Sequence, residues 1–249
     1  MFPTLAIVLL LQGFYASLSA AENLPPYIHQ CRWSDPKVTE CFIHAMMHIR
    51  PWLAQGIPEI ALPAVEPFRL NELSLSLTTG PNGYRVNLRD IDLYGASNFS
   101  VTHFRLSEKG APFELQIRIP QLRINADYTS SGVLIIIPAS GKGSFHAALA
   151  GVTAVLRGAT SSAPRAGRDY LRVDKLNVDL KIRDVNMGIR RAFNNNAILT
   201  EATNLFLRSN GHEVLEAMMP QLRLKIAEVF MGIANKLLAK VPVQYLVRD

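Results

Sequence analysis

Between His212 and Lys240 an apolar residue recurs every three or four positions: Val214, Met218, Leu222, Ile226, Val229, Ile233 and Leu237. Leu215, Met219, Leu224, Phe230 and Leu238 widen this stripe well beyond a narrow coiled-coil seam. The spacing predicts one helix about 43 Å long at 1.5 Å per residue, with Pro220 kinking it or starting its long part. A domain of about 230 residues has a radius of gyration of about 17 Å, so such a helix crosses the whole molecule. Apolar over most of its circumference, it has to be wrapped by the rest of the chain.

The available wrapping is a long β region. Leu73, Leu75 and Leu77 share one face of a strand over residues 70–77. Tyr84, Val86 and Leu88 alternate until Asp90 shifts the phase ahead of Ile91 and Leu93, which predicts a bulge. Phe99, Val101 and 104–106 follow. Phe113, Leu115, Ile117 and Ile119 alternate with Glu114, Gln116 and Arg118, and Pro120 is expected to close that strand before Leu122, Ile124 and Ala126 continue. The apolar run Gly132–Ile137 reads as a central strand or one covered on both faces. Residues 144–156 and 170–182 complete the set.

Turns are expected at 80–83, Lys109-Gly110, 130–132 and 141–143, and a surface loop at 159–169. Connections this short dictate antiparallel pairing, while bulges and glycines let a sheet curl. The expected fold is therefore α+β: a long C-terminal helix wrapped by a strongly curved antiparallel β-sheet. Periodicity leaves open whether the interior is solid or hollow.

Asp35-Pro36 is expected to cap and open a further helix running to about Ile49 and ended by Arg50-Pro51. Helix is also expected from Ala197, broken at Asn210-Gly211. The apolar run Leu5–Leu11 and the small residues Ser19 and Ala21 read as a secretory signal peptide over 1–21, since a membrane span needs about 20 apolar residues. A single domain over 22–249 remains, expected to be secreted and extracellular, without stable membrane insertion. In that oxidising setting Cys31 and Cys41 point to a disulfide, worth about 3 kcal/mol in the loop-entropy model. His29, His44 and His48 offer the competing metal reading, but Ala45 stands where an H-E-x-x-H motif needs Glu, and no metal is expected. Asn98-Phe99-Ser100 is an N-glycosylation sequon.

The net charge of +6 comes from scattered basic residues such as Arg85, Arg118, Arg123 and Arg183, most alternating with apolar ones. The absence of a basic cluster interleaved with aromatics argues against a nucleic-acid groove, although weak attraction to anionic surfaces remains. Ser144 lacks the G-x-S-x-G elbow, and the one Gly-Lys pair, at 141–142, lacks the phosphate-loop pattern. Asp90 and Asp92 read as a wet strand face rather than an acid–base pair. No enzyme activity and no cofactor are expected. What stands out is apolar surplus: 49% hydrophobic against 18% charged residues.

Cys31, Asp35 and Cys41 are followed by Gly56-Ile57-Pro58-Glu59-Ile60, Leu62-Pro63 and Glu66-Pro67-Phe68. Further on stand Leu93-Tyr94-Gly95, Ile117-Arg118-Ile119-Pro120, Tyr128, Gly132-Val133-Leu134 and Gly141-Lys142-Gly143-Ser144-Phe145. In these motifs and their order the chain resembles the insect takeout and juvenile-hormone-binding protein family over essentially the whole mature length. One Cys pair, where the hormone-binding branch usually has two, favours the takeout-like side. The resemblance implies a tubular lipid-binding roll and a carrier of a lipophilic small molecule, juvenile-hormone-like or another lipid, acting as a monomer. Phe42, Met46, Phe145, Met218 and Phe230 are the candidate tunnel-lining residues, with plain core packing as the competing role for each. The alternative is an extracellular signalling or protein-interaction factor with a filled core.

Overall fold

The computed structural model describes residues 24–76, 83–107, 112–134, 137–138, 140–193 and 196–248; the expected signal peptide and the turn at Lys109-Gly110 lie outside them. A short strand β1 (Cys31–Arg32) leads into helices α1 (Val38–His48) and α2 (Arg50–Gln55) and a 3-10 turn at Pro58–Ile60. The sheet strands are β2 (Phe68–Ser76), β3 (Arg85–Tyr94), β4 (Ser100–Leu106), β5 (Phe113–Ser131), β8 (Gly141–Arg165) and β9 (Arg168–Arg190), with a small hairpin of β6 (Val133–Leu134) and β7 (Ile137–Pro138) inserted. Helices α3 (Ala197–Ser209), α4 (Gly211–Leu238) and α5 (Val243–Leu246) and strand β10 (Val247–Arg248) follow.

The strands form one antiparallel sheet in the order β2-β3-β5-β8-β9, with β4 pairing alongside β5. The expected bulge is present: Asp90 has φ +49°, and the β3–β5 register shifts between Arg89 and Asp92. Pro120, however, does not close β5. The partner on that edge of β5 changes there, from β4 up to Arg118 to β3 from Arg123, and the ladder to β8 steps from Ile119↔Val152 to Gln121↔Ala150. A missing N–H costs least where the ladder is already interrupted.

Several further expectations are corrected. Residues 159–169 are not a loop: β8 and β9 pair out to Arg165↔Arg168, joined by Ala166 (φ +49°) and Gly167 (φ +75°). Two positive φ values in a two-residue connection match the twist of the flanking strands, so the polar stretch remains a wet hairpin. The expected central strand is not formed: Gly132, at φ +97°, turns the chain out of β5, and Val133-Leu134 pair with Ile137-Pro138 instead. Residues 141–143 belong to β8 rather than a turn, where Gly143 passes so close to β9 that a Cβ would lie 2.4 Å from the Arg190 carbonyl oxygen. Asp35 does not cap α1; its Oδ1 accepts from the Lys37 amide at 2.8 Å, and the helix starts at Val38. Pro51 both ends the preceding helix and sits in the first turn of α2, where its lost donor is unneeded.

α4 runs unbroken through Pro220 and makes the long axis of the molecule. The block of residues carrying the family resemblance closes one end. Ile57 bridges Leu62, and Tyr27, Ile49, Ile57, Ile60 and Leu62 bury together against Trp52, Ile233 and Leu237. The Glu66 carboxylate accepts from the Gly95 amide (2.7 Å) and the Ser97 hydroxyl (3.1 Å), fixing the β3–β4 loop. Cys31 and Cys41 are disulfide-bonded with Cα atoms 5.8 Å apart, tying β1 to α1. β1 in turn pairs with β10, so the two ends of the described chain meet.

Candidate functional site: the interior of the roll

The two edge strands of the sheet path are β2 and β9. Open edges expose unpaired backbone groups that need covering, and here amide side chains on the helices cover them. Gln221 on α4 accepts from the Ser76 amide of β2 through Oε1 (3.0 Å) and donates to its carbonyl through Nε2 (2.8 Å). Asn235 on α4 makes the same pair of bonds with Val173 of β9, at 2.8 and 3.0 Å. Asn204 on α3 does so with Ile189, at 2.8 and 3.1 Å. One helix therefore fastens both edges of the sheet, and the sheet closes into a roll. These three amides were not singled out by sequence reasoning. The signal was present: Gln221 and Asn235 fall at seven-residue multiples from Val214 within the apolar stripe, where a polar residue needs a buried partner.

Inside, the sheet contributes buried residues: Val86, Leu88, Ala126 and Ile189 toward the α3 end, Ile119, Leu149 and Val152 at mid-length, and Ile117, Leu156, Val178 and Leu180 toward the N-terminal cap. The facing side of α4 differs. Val214, Leu215 and Ala227 are buried, but Met218, Met219, Leu222, Ile226, Phe230 and Ile233 are only partly covered although they pack toward the same clusters. Of the candidate lining residues, Phe145 and Met218 join the cluster at the α3 end and Phe230 the one toward the N-terminal cap. Phe42 lies elsewhere, edge-on to Trp33 (6.0 Å) and Phe104 of β4 (5.6 Å). Met46, half-buried on α1, belongs to none of these clusters.

The interior also holds a polar group that sequence reasoning did not assign to the lining. Tyr128 is 5% exposed and packs in the cluster at the α3 end, yet its buried hydroxyl has no hydrogen-bond partner. Burial, and then the neighbouring Tyr84, push its pKa up to about 12, so it is a neutral donor at any physiological pH. Tyr84 is also raised by burial, against the opposing effect of a hydrogen bond with Ser130. Two open grooves mark the outside: one of about 350 Å³ along the α4–β2 seam, bordered by Leu73, Gln221 and Leu224, and one of about 420 Å³ bordered by Asp90, Asp127 and Arg190. His29, His44 and His48 do gather, with the His29 and His44 rings 4.7 Å apart. Among the described residues, however, no group of three side chains is placed to hold a metal ion.

Fold and lining together define an elongated α+β roll with an apolar interior. A model of the haemolymph juvenile hormone binding protein family matches residues 6–248, and the chain belongs to that family. The circadian clock-controlled protein daywake of Drosophila melanogaster is 24% identical over 246 residues, which is 94% of this chain and 92% of that protein. A putative beta-carotene-binding protein of Schistocerca gregaria is 24% identical over 181 residues, covering 72% of this chain and 71% of its own. The crystal structure of Takeout 1 from Epiphyas postvittana superposes with a TM-score of 0.78 at 20% identity, covering 89% of this chain and 100% of that one. The two molecules share the roll.

Proposed function

We propose that the protein is a secreted carrier that holds a lipophilic small molecule lengthwise inside the roll. The observation that carries this reading is the partial cover of Met218, Met219, Leu222, Ile226, Phe230 and Ile233 on the inner side of α4. Interiors are ordinarily packed as densely as organic crystals, so apolar side chains that face a sheet yet stay partly exposed leave surface for a guest. Methionines suit guests of varied shape because they repack easily. The unpartnered Tyr128 hydroxyl supplies one polar contact, the usual way an apolar pocket fixes orientation. Membership of the haemolymph family supports the same reading, as does the name of the beta-carotene-binding relative.

The remaining features belong to this proposal. Residues 1–21 serve as the signal peptide, and N-terminal sequencing of the secreted product should begin at Glu22. Asn98 is exposed beside Arg50, whose Nη2 donates to its side-chain oxygen at 3.1 Å. A glycosidase-sensitive mass shift would show whether it carries a glycan. The protein acts as a monomer and performs no catalysis.

The central test is uptake of a fluorescent apolar probe, together with native mass spectrometry before and after organic extraction. Saturable uptake, lost on Phe230→Asp in a folded variant, is expected. No uptake and no co-purifying lipid would sink the carrier and leave a filled-core interaction factor.

A further inference from the structure

At the end of the roll opposite the disulfide, α3 starts beyond the last residues of β9 and runs back along that strand. The Thr200 hydroxyl lies against the Ala192 carbonyl (3.4 Å), and Asn204 against Ile189. The inner side of α3 buries Leu207, but its outer side is apolar and open: Ile198 is 81%, Leu199 49% and Leu205 55% exposed. Ile198, Ala202 and Leu205 stand four and three positions apart, hence on one stripe. Contiguous exposed apolar surface is the kind that interaction sites use.

The charged side chains nearest the start of the helix are basic. Arg190 and Arg191 precede α3, and Lys142 stands beside them because its neighbours Gly141 and Gly143 abut Phe193 and the Arg190–Arg191 carbonyls. All three are exposed, and among the described residues none is ion-paired. The sequence has no Asp or Glu between Asp184 and Glu201 or between Asp127 and Asp169. Glu201 on α3 is neutralised by Arg208 at 2.6 Å. Asp90 and Asp127 share the outer groove with Arg190, and Asp127, in register with Ser144 and through it with Arg190, lies in the same cross-strand row on the side of Arg190 away from α3.

We propose that this end of the molecule docks on an anionic lipid bilayer, with Ile198, Leu199 and Leu205 entering the interface and Lys142, Arg190 and Arg191 meeting the headgroups. An apolar helix face flanked by cations is the pattern that lies in a membrane interface. The face belongs to a helix at one end of the roll, with open apolar side chains suited to a deformable apolar phase. A second copy docking end to end would bring like charges together. This surface lies outside the roll, so the inference stands independently of whether a ligand is carried inside.

The test is co-sedimentation of the purified protein with vesicles of phosphatidylcholine alone and of phosphatidylcholine containing one-third phosphatidylserine. Partition is expected into the anionic vesicles, weakening as salt is raised. The Arg190→Gln/Arg191→Gln double variant should lose about thirtyfold, at about 1 kcal/mol for each basic residue near such a surface. Ile198→Ser/Leu205→Ser should lose more than about tenfold, since each side chain forfeits its apolar burial. These side chains are exposed, so thermal melting should show both variants folded, and each pair tests the face without the other. Equal partition into both vesicle types, or binding undiminished in both variants, would overturn the proposal. So would a dimer dispersed by Ile198→Ser/Leu205→Ser without any vesicle binding, which would assign the face to a second copy.

Discussion

Tyr128 shows how much can rest on one hydroxyl. A buried donor without a partner costs about 1–3 kcal/mol, so Tyr128→Phe should leave the empty protein as stable as the parent or up to about 2 kcal/mol more stable in denaturant unfolding. If the hydroxyl meets the guest, the same variant should bind oxygen-bearing lipophiles several-fold more weakly and pure hydrocarbons unchanged. Equal losses for both would show that the ring, not the hydroxyl, matters. Tyr128 was visible in the sequence as part of the family resemblance, but its orphan hydroxyl was not, because hydrogen-bond partners are a property of three dimensions.

Two histidines give the protein an acid-side weakness. Burial lowers the pKa of His29 below its ordinary 6.5, reinforced by His44 and His48; burial, then Arg190, lowers that of His146. For each, the unfolded chain takes up its proton at higher pH than the folded one. Their contribution is therefore in place above about 6.5 and is lost progressively as pH falls toward the folded values. The melting temperature should drop between pH 7.5 and 5, and less so in His44→Gln, which relieves the charge on His29. An unchanged profile in that variant would acquit the cluster.

Among the elements, α4 was legible from its period alone, and so was the bulge at Asp90. Strand limits were read less well. Pro120 and residues 141–143 carry signals that end strands in isolation, yet lie inside strands here because long neighbours hold them, and residues 159–169 are two paired strand ends joined only at Ala166-Gly167. The seam between α4 and the sheet edges was not legible. Gln221→Ala and Asn235→Ala each remove two part-buried hydrogen bonds and should cost about 1–2 kcal/mol. Hydrogen exchange separates the effects: the Ser76 amide should lose protection in the first variant and the Val173 amide in the second. The cap depends on its crosslink. Cys31→Ser/Cys41→Ser should cost about 3 kcal/mol by loop closure, seen as a lower denaturant midpoint with an unchanged sheet spectrum.

At the scale of the whole molecule, the apolar lining and the closed seam bear together on ligand and stability. A guest that binds only the folded roll should raise stability by about 2.7 kcal/mol when present at a hundred times its dissociation constant. The melting temperature should rise with ligand concentration, and Phe230→Asp should abolish the rise. Among the described residues no helix is long and apolar enough to cross a membrane.

The sequence by itself determined the periods, and with them a long helix that could not stand uncovered and a set of antiparallel strands to cover it. Periodicity is local, so it survives in one dimension. The tertiary structure decided which strand edges meet the helix, how far the lining is filled, and that Lys142, Arg190 and Arg191 gather beside an open apolar helix. Those outcomes depend on residues far apart in the chain reaching one place, and no spacing along the sequence encodes that distance.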